Sequence, residues 1–372
     1  MSALAPLFEE EARVPSLPEL RALVRTGAPK KPGVYLFTTQ GRVIYVGKAK
    51  SLRARLASYF SAPWPESKSA QLIRCATGIE WRQLPSEFAA LVEEQRLIRS
   101  MRPPYNVKGT DERRSALVFL KFTPGPAPKI ALTDATKDPR ALYFGPFRGK
   151  GHTGEAVRAL SDLLGLRDCA RALPMSFTDQ AALFDTPRQP RCMRFDLGTC
   201  LGPCAARSSA ERYQAAVTRA ADFLEGKAAH PLDRVLEEMA RASENAEFER
   251  AQHWKAKFEL LERLFASVSR LRAAADGLSF VYEVKDRAGG KDDRIYLVKH
   301  GVIRAEAPAP RTPIERTAFA AEVERHALDP APAPAARGAG EMDQLLLVMS
   351  WFRQHPEEYR NTSAFKKWVA AH

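Results

Sequence analysis

Two tyrosines ten residues apart, Tyr35 in Gly33-Val34-Tyr35 and Tyr45 in Tyr45-Val46-Gly47, open a series of side chains suited to phosphate chemistry. A basic stretch with Lys48, Lys50, Arg53 and Arg55 follows, then Tyr59, a carboxylate at Glu94 and an amide at Asn106. Phosphodiester hydrolysis needs an activated water, a counter-charge for the pentacovalent phosphate and help for the leaving oxygen. A single carboxylate can hold one Mg2+, which keeps several of its waters and so leaves room for a phosphate. Phenol hydroxyls can order or deprotonate the attacking water. A free tyrosine titrates near pH ~10, so a base role requires a cation, bound metal or Lys48, to lower it. Which of the two tyrosines is the base stays open. The planar fork of Arg55 suits phosphate oxygens. Each piece also has a plainer reading: strand aromatics, a solvated helix face at Glu93-Glu94, a basic helix start. The last fits least well, because cations disfavour a helix N-terminus. A cluster placed there suggests a phosphate ligand.

The elements that must position these side chains are legible. Val34–Phe37 and Val43–Val46 are β-branched and aromatic, and Thr38-Thr39-Gln40-Gly41 joins them, which predicts a hairpin. Adjacent strands can then present both tyrosines on one face. Ser51 is an N-cap candidate ahead of Leu52, Leu56 and Tyr59 at helical spacing, and Glu87 to Ser100 predicts a second helix, ended by Pro103-Pro104. Residues 111–150 are strand-rich and residues 155–225 hold helices around a cysteine group. From Pro231 to about Leu271 the pattern is a helical hairpin turning near Glu244-Asn245. Its second arm carries Phe248, Ala251, Trp254, Phe258, Leu261 and Phe265 on one stripe.

Composition narrows the partners. The chain has 372 residues, enough for two or three domains at ~100–200 each, and is 45% hydrophobic with no apolar run long enough to span a bilayer. Its N-terminus turns acidic within ten residues and lacks a secretory pattern, so a cytoplasmic location is expected. The net charge of +13 favours a polyanion, since each phosphate neutralised releases counterions.

The ordered series from Gly33-Val34-Tyr35 through Tyr45-Val46-Gly47, Lys48 to Leu56, Ser58-Tyr59-Phe60, Glu94 and Tyr105-Asn106 resembles the N-terminal GIY-YIG nuclease domain of the UvrC excinuclease family. Alignment on Leu97-Ile98 and the Tyr-Asn pair selects Glu94 over Glu93. The resemblance implies a site of Tyr35, Tyr45, Lys48, Arg55, Tyr59, Glu94 and Asn106, with Mg2+ (or Mn2+) on Glu94. It implies a DNA endonuclease of nucleotide excision repair acting on damaged duplex. The expected fold is α+β: a small mixed-sheet GIY-YIG domain with flanking helices, a mostly helical cysteine-cluster domain, a helical hairpin and a small α+β C-terminal segment. The expected divisions are an N-terminal extension (1–28), the GIY-YIG domain (29–108), a strand-rich connector with the cysteines (109–226), the hairpin (231–271), the α+β segment (272–327), a Pro/Ala linker (328–340) and C-terminal helices (341–372).

Four of the five cysteines follow Cys169-x22-Cys192-x7-Cys200-x3-Cys204. Four thiolates suit zinc or an iron–sulfur cluster alike. The flanking residues resemble the family's 4Fe–4S segment, with an insertion around 170–190 as a departure. That makes a 4Fe–4S cluster the first expectation and zinc the second; Cys75 is expected to be a core thiol. Glu244-Asn-Ala-Glu-Phe-Glu-Arg-Ala251 resembles the UVR motif, which implies docking of a UvrB-like protein on Phe248, Ala251 and Phe258. A hairpin packed on its own chain is the alternative. Full-length relatives continue into a second nuclease domain and a helix-hairpin-helix pair, for which this sequence is too short. A single cut 3′ to a lesion is therefore expected, as in short Cho-type proteins. A non-cleaving adaptor that binds DNA and a partner is the competing reading. A homing or restriction enzyme would need neither the cysteines nor the hairpin.

Overall fold

The structure is a computed structural model that describes residues 15–107, 117–169, 173–179, 192–286, 292–327 and 334–371. Residues 1–14, most of the expected insertion at 170–190 and the proline run before Pro334 lie outside the described residues.

The first unit is built on a hairpin. β1 (Gly33–Thr39) and β2 (Arg42–Ala49) pair antiparallel around Gln40-Gly41. Both turn residues have positive φ, 49° and 74°, as two-residue hairpin turns that match strand twist require. β3 (Gly78–Gln83) joins the other side of β1, giving the order β2-β1-β3. Helices α1 (Leu17–Gly27), α2 (Leu52–Phe60) and α3 (Lys68–Cys75) cover it. Their Leu20, Val24, Leu52, Leu56, Leu72 and Ile73 close on Tyr35, Phe37 and Ile79 of the sheet. α4 (Glu87–Met101) is capped by Ser86, whose hydroxyl accepts from Ala89 N at 3.0 Å. It ends where Arg102 turns left-handed before Pro103, and the single turn α5 (Pro104–Val107) follows.

A second sheet has the order β10-β6-β4-β5, from β4 (Leu117–Phe122), β5 (Ile130–Thr133), β6 (Leu142–Arg148) and β10 (Ala336–Gly338). Its core is shared by α6 (Lys150–Leu164), α8 (Ala210–Leu224) and the hairpin of α9 (His230–Glu244) and α10 (Phe248–Asp276); the short α7 (Met193–Asp196) sits among the cysteines. The hairpin buries its base on this chain. Leu261, Leu264 and Val268 lie in the core with Phe258 and Phe265 against them, whereas Phe248 at the turn is 72% exposed.

The third sheet, β11-β7-β8-β9, comprises β7 (Phe280–Val284), β8 (Arg294–Lys299), β9 (Val302–Pro308) and β11 (Thr362–Ser363). α11 (Pro313–Ala327), α12 (Ala339–Gln354) and α13 (Phe365–Ala371) pack around it. Two expected divisions differ here. Ala336–Gly338, placed in the linker, pairs with Leu142–Phe144 because β6 offers an open edge. Residues 341–371 are not separate from 272–327: Met342, Leu345, Val348 and Phe352 cover the tyrosine face of β7 and β8. Among the described residues no helix is long and apolar enough to cross a membrane.

Candidate active site

The hairpin register decides how the tyrosines meet. Phe37 faces Tyr45 and Tyr35 faces Gly47, so Tyr35 and Tyr45 are diagonal neighbours on one face with ring centroids 6.2 Å apart. Gly47 makes that possible, since a Cβ there would sit 2.4 Å from the Tyr35 hydroxyl. The third phenol comes from α2, where the Tyr59 and Tyr35 hydroxyls are 2.8 Å apart. One turn earlier, Arg55 Nε donates to the Tyr35 hydroxyl at 3.2 Å and its guanidinium lies 5.1 Å from the Tyr59 ring centre. Its other nitrogens have no hydrogen-bond partner among the described residues, which leaves them for an incoming anion.

Burial pushes all three phenols well above the usual tyrosine range. Tyr45 adds to this for Tyr35, Tyr59 for Tyr45 and Tyr35 for Tyr59, and Arg55 opposes it in each case. At neutral pH they are uncharged hydroxyls that can both donate and accept.

Glu94 reaches the group from α4. Its Oε1 accepts from the backbone N–H of Lys48 at 3.0 Å. Burial pushes its carboxyl up to about 7, against the pull of Lys48 and Arg55. A carboxylate withdrawn from water and held at half charge near neutrality suits an ionic ligand of opposite sign. Among the described residues no three His, Cys, Asp or Glu side chains are grouped here, so a divalent cation could take Glu94 as a ligand only with waters filling most of its shell.

Lys48 and Asn106 act differently from a simple phosphate ligand and a simple polar contact. The Lys48 ammonium lies 3.6 Å from Glu87 at the start of α4, and Glu87 also pairs with Lys50 at 3.0 Å. Asn106 uses both ends of its amide on Val46: Nδ2 donates to the carbonyl and Oδ1 accepts from the N–H, each at 2.8 Å. It fastens the free edge of β2, the strand that carries Tyr45. The sequence reading missed Glu87 as a partner and Gly47 as a spacer. The hairpin register could have exposed Gly47; nothing short of the fold pairs Glu87 with Lys48.

The four cysteines share one neighbourhood around α7. Burial raises the Cys200 and Cys204 thiols, with Cys192 adding to both and Cys169 to Cys204. Gly202 N–H donates to Cys200 Sγ at 3.4 Å and Arg167 reaches Cys169 Sγ at 3.5 Å. Among the described residues no three His, Cys, Asp or Glu side chains are grouped to hold a metal, so this geometry does not support the cluster expectation. Cys75 is exposed and accepts from the Tyr105 hydroxyl at 3.3 Å; it is not the core thiol expected, because α3 turns that end outward.

Two segments of the chain match known protein families. Residues 31–107 match the UvrC-like GIY-YIG domain, and residues 117–223 match the UvrC/Cho excinuclease middle domain. UvrABC system protein C of Carboxydothermus hydrogenoformans is 32% identical over 277 residues, covering 73% of this chain and 43% of that protein. The Thermus thermophilus protein is 34% identical over 239 residues, covering 64% of this chain and 38% of that one. The chain thus spans less than half the length of these relatives. A solved structure of the GIY-YIG N-terminal endonuclease domain of UvrC from Thermotoga maritima, bound to its catalytic divalent cation, magnesium, is 38% identical and covers 23% of this chain and 94% of that one. Its TM-score to this chain is 0.22. With both domain matches in the same order on one chain, this protein belongs to the UvrC family.

Proposed function

We propose that this protein is a metal-dependent DNA endonuclease of nucleotide excision repair that makes one incision, 3′ to a lesion, in complex with a UvrB-like protein. The observation that carries the reading is the convergence of Glu94, Arg55 and three phenols at one end of the β1–β2 hairpin. In this reading Tyr35, Tyr45, Lys48, Arg55, Tyr59, Glu94 and Asn106 form the site. Glu94 would hold Mg2+ (or Mn2+), which when bound would supply charge stabilisation at the phosphate and a more acidic water. Arg55 pairs with a non-bridging phosphate oxygen through the nitrogens Tyr35 leaves unused. The phenols, uncharged by burial, orient the water and relay its proton through the Tyr35–Tyr59 contact to bulk water in the cavity that Tyr59 lines, each hydroxyl accepting one proton as it gives up another. Lys48 keeps positive charge beside Glu94 and Glu87, and Asn106 positions β2.

Docking of the UvrB-like protein at the hairpin turn is supported by the exposed Phe248, with Ala251 at the same end. Phe258 packs on this chain's own core, so it would support the docking face from beneath. A 4Fe–4S cluster on Cys169, Cys192, Cys200 and Cys204, or zinc in its place, would require these thiols to close up. An absorption band at roughly 400 nm after anaerobic purification tests for iron–sulfur ligation.

The function is tested by mapping cuts on an end-labelled, lesion-bearing duplex with Mg2+, with and without the UvrB-like protein. The reading expects a single product cut 3′ to the lesion that depends on the partner. Binding to DNA and partner without any cut would favour the adaptor.

A further inference from the structure

Beside the site, α1, α2 and α3 enclose a cavity of about 530 Å3, within the range of small-ligand pockets, ~300–1,000 Å3. Its charged lining residues are Arg21, Arg25 and Arg74, with no acidic side chain among them. None of the three guanidiniums is ion-paired among the described residues. Trp64 stands at the cavity's wall, 51% exposed, with Arg74 stacked 4.3 Å from its ring centre. Tyr59, whose hydroxyl bonds to Tyr35, also lines this cavity, so it adjoins the phenols. Two of the arginines belong to α1, which lies outside the segment matched to the GIY-YIG family.

We propose that this cavity is a subsite for single-stranded DNA: it takes an unpaired base of the cleaved strand against Trp64 while Arg21, Arg25 and Arg74 hold the flanking phosphates. This rests on the nuclease reading above and deepens it. An exposed indole with a guanidinium on one face, and further guanidiniums that form no ion pair among the described residues, is a combination that single-strand binders use, because every base has a stacking face and every linkage a charge. The apolar part of the lining, with Leu17, Pro18, Phe60 and Ile73, suits the faces of a base, and the chain's net charge of +13 favours the phosphates beside it.

The test uses the full chain in EDTA, where cutting is absent, and a short fluorescent single-stranded oligonucleotide read by anisotropy over a salt series. Trp64→Ala is expected to weaken binding roughly 5- to 100-fold, and Trp64→Phe to keep most of it. The double variant R21Q/R25Q should lower the slope of log affinity against log salt by about 1.4, two phosphate contacts at ~0.7 each. Both arginines are exposed, so this variant keeps the proposal testable if Trp64→Ala does not fold. Wild-type affinity and slope in Trp64→Ala and R21Q/R25Q would overturn the subsite. So would competition by a polyglutamate peptide as effective as the oligonucleotide, which would mark a site for acidic protein segments. A cutting assay with Mg2+ separates the two claims: no cutting by the wild type would sink the nuclease reading, and cutting by Glu94→Ala would sink the metal role of Glu94, either one leaving the oligonucleotide result standing. Unaltered binding by Trp64→Ala would do the reverse.

Discussion

Glu94 carries the sharpest consequences at the level of single residues. Its carboxyl titrates at about 7 in the fold, against ~4.3 in an unfolded chain. The folded protein therefore binds the extra proton, and this group's contribution to stability is fully present below pH ~4.3 and is lost as pH rises through about 7. We predict that Glu94→Gln stabilises the metal-free protein at pH 8 relative to wild type, by at most about 4 kcal/mol, with little difference at pH 4. Urea titrations at the two pH values check this, and a stability difference that does not change with pH contradicts it. Protons and metal compete for the same oxygens, so at limiting Mg2+ activity should rise with pH through about 7. Tyr35 is the hub of the phenol group, touching Tyr59 and Arg55. Tyr35→Phe should keep the fold and lower kcat by roughly 100-fold or more, the scale of general acid–base assistance. Unchanged single-turnover rates would remove Tyr35 from the proton path.

At the level of elements, the exposed edge strand and the catalytic helix matter most. Among the described residues β2 has no strand on its outer side, and Asn106 supplies that pairing to Val46. Asn106→Ala leaves that N–H and carbonyl without the amide and is predicted to cost about 1–3 kcal/mol. Thermal unfolding measures the loss, and a melting temperature equal to wild type would make the contact incidental. These features were unequally legible in the sequence. The hairpin, its turn and the helix that starts at Glu87 are local, so periodicity and turn chemistry reveal them, whereas the Ser51 side chain, the cap candidate before α2, makes no capping hydrogen bond among the described residues. Asn106 was selected by order in a motif, but its grip on Val46 spans 60 residues and needs the fold. The hairpin stripe from Phe248 to Phe265 was also visible. What spacing could not say is which end is covered, because coverage comes from β4, β6 and α6, far away in sequence.

Across the whole molecule, the C-terminal region supports the catalytic helix. Phe88, six residues before Glu94, inserts between Tyr282, Tyr296 and Trp351 at ring distances of 5.1, 4.9 and 5.4 Å. Arg96 on the same helix bridges Glu93 at 3.1 Å and Glu306 at 3.3 Å. Residues beyond 305 were the least interpretable in the sequence, since their aromatics bury against a helix more than 200 positions away. Trp351→Ala is predicted to destabilise by about 3–5 kcal/mol and to lower nuclease activity with it. Calorimetry and a nicking assay together check this; full activity with a loosened C-terminal region would break the proposed support. The central claim is that Glu94 holds the metal on which cutting depends. Its most direct test is single-turnover cleavage of a lesion-bearing duplex over a Mg2+ titration, wild type beside Glu94→Ala, with the UvrB-like protein present. The account predicts metal-dependent cutting by the wild type and none by Glu94→Ala at any Mg2+ concentration, whereas equal cutting by both would contradict it.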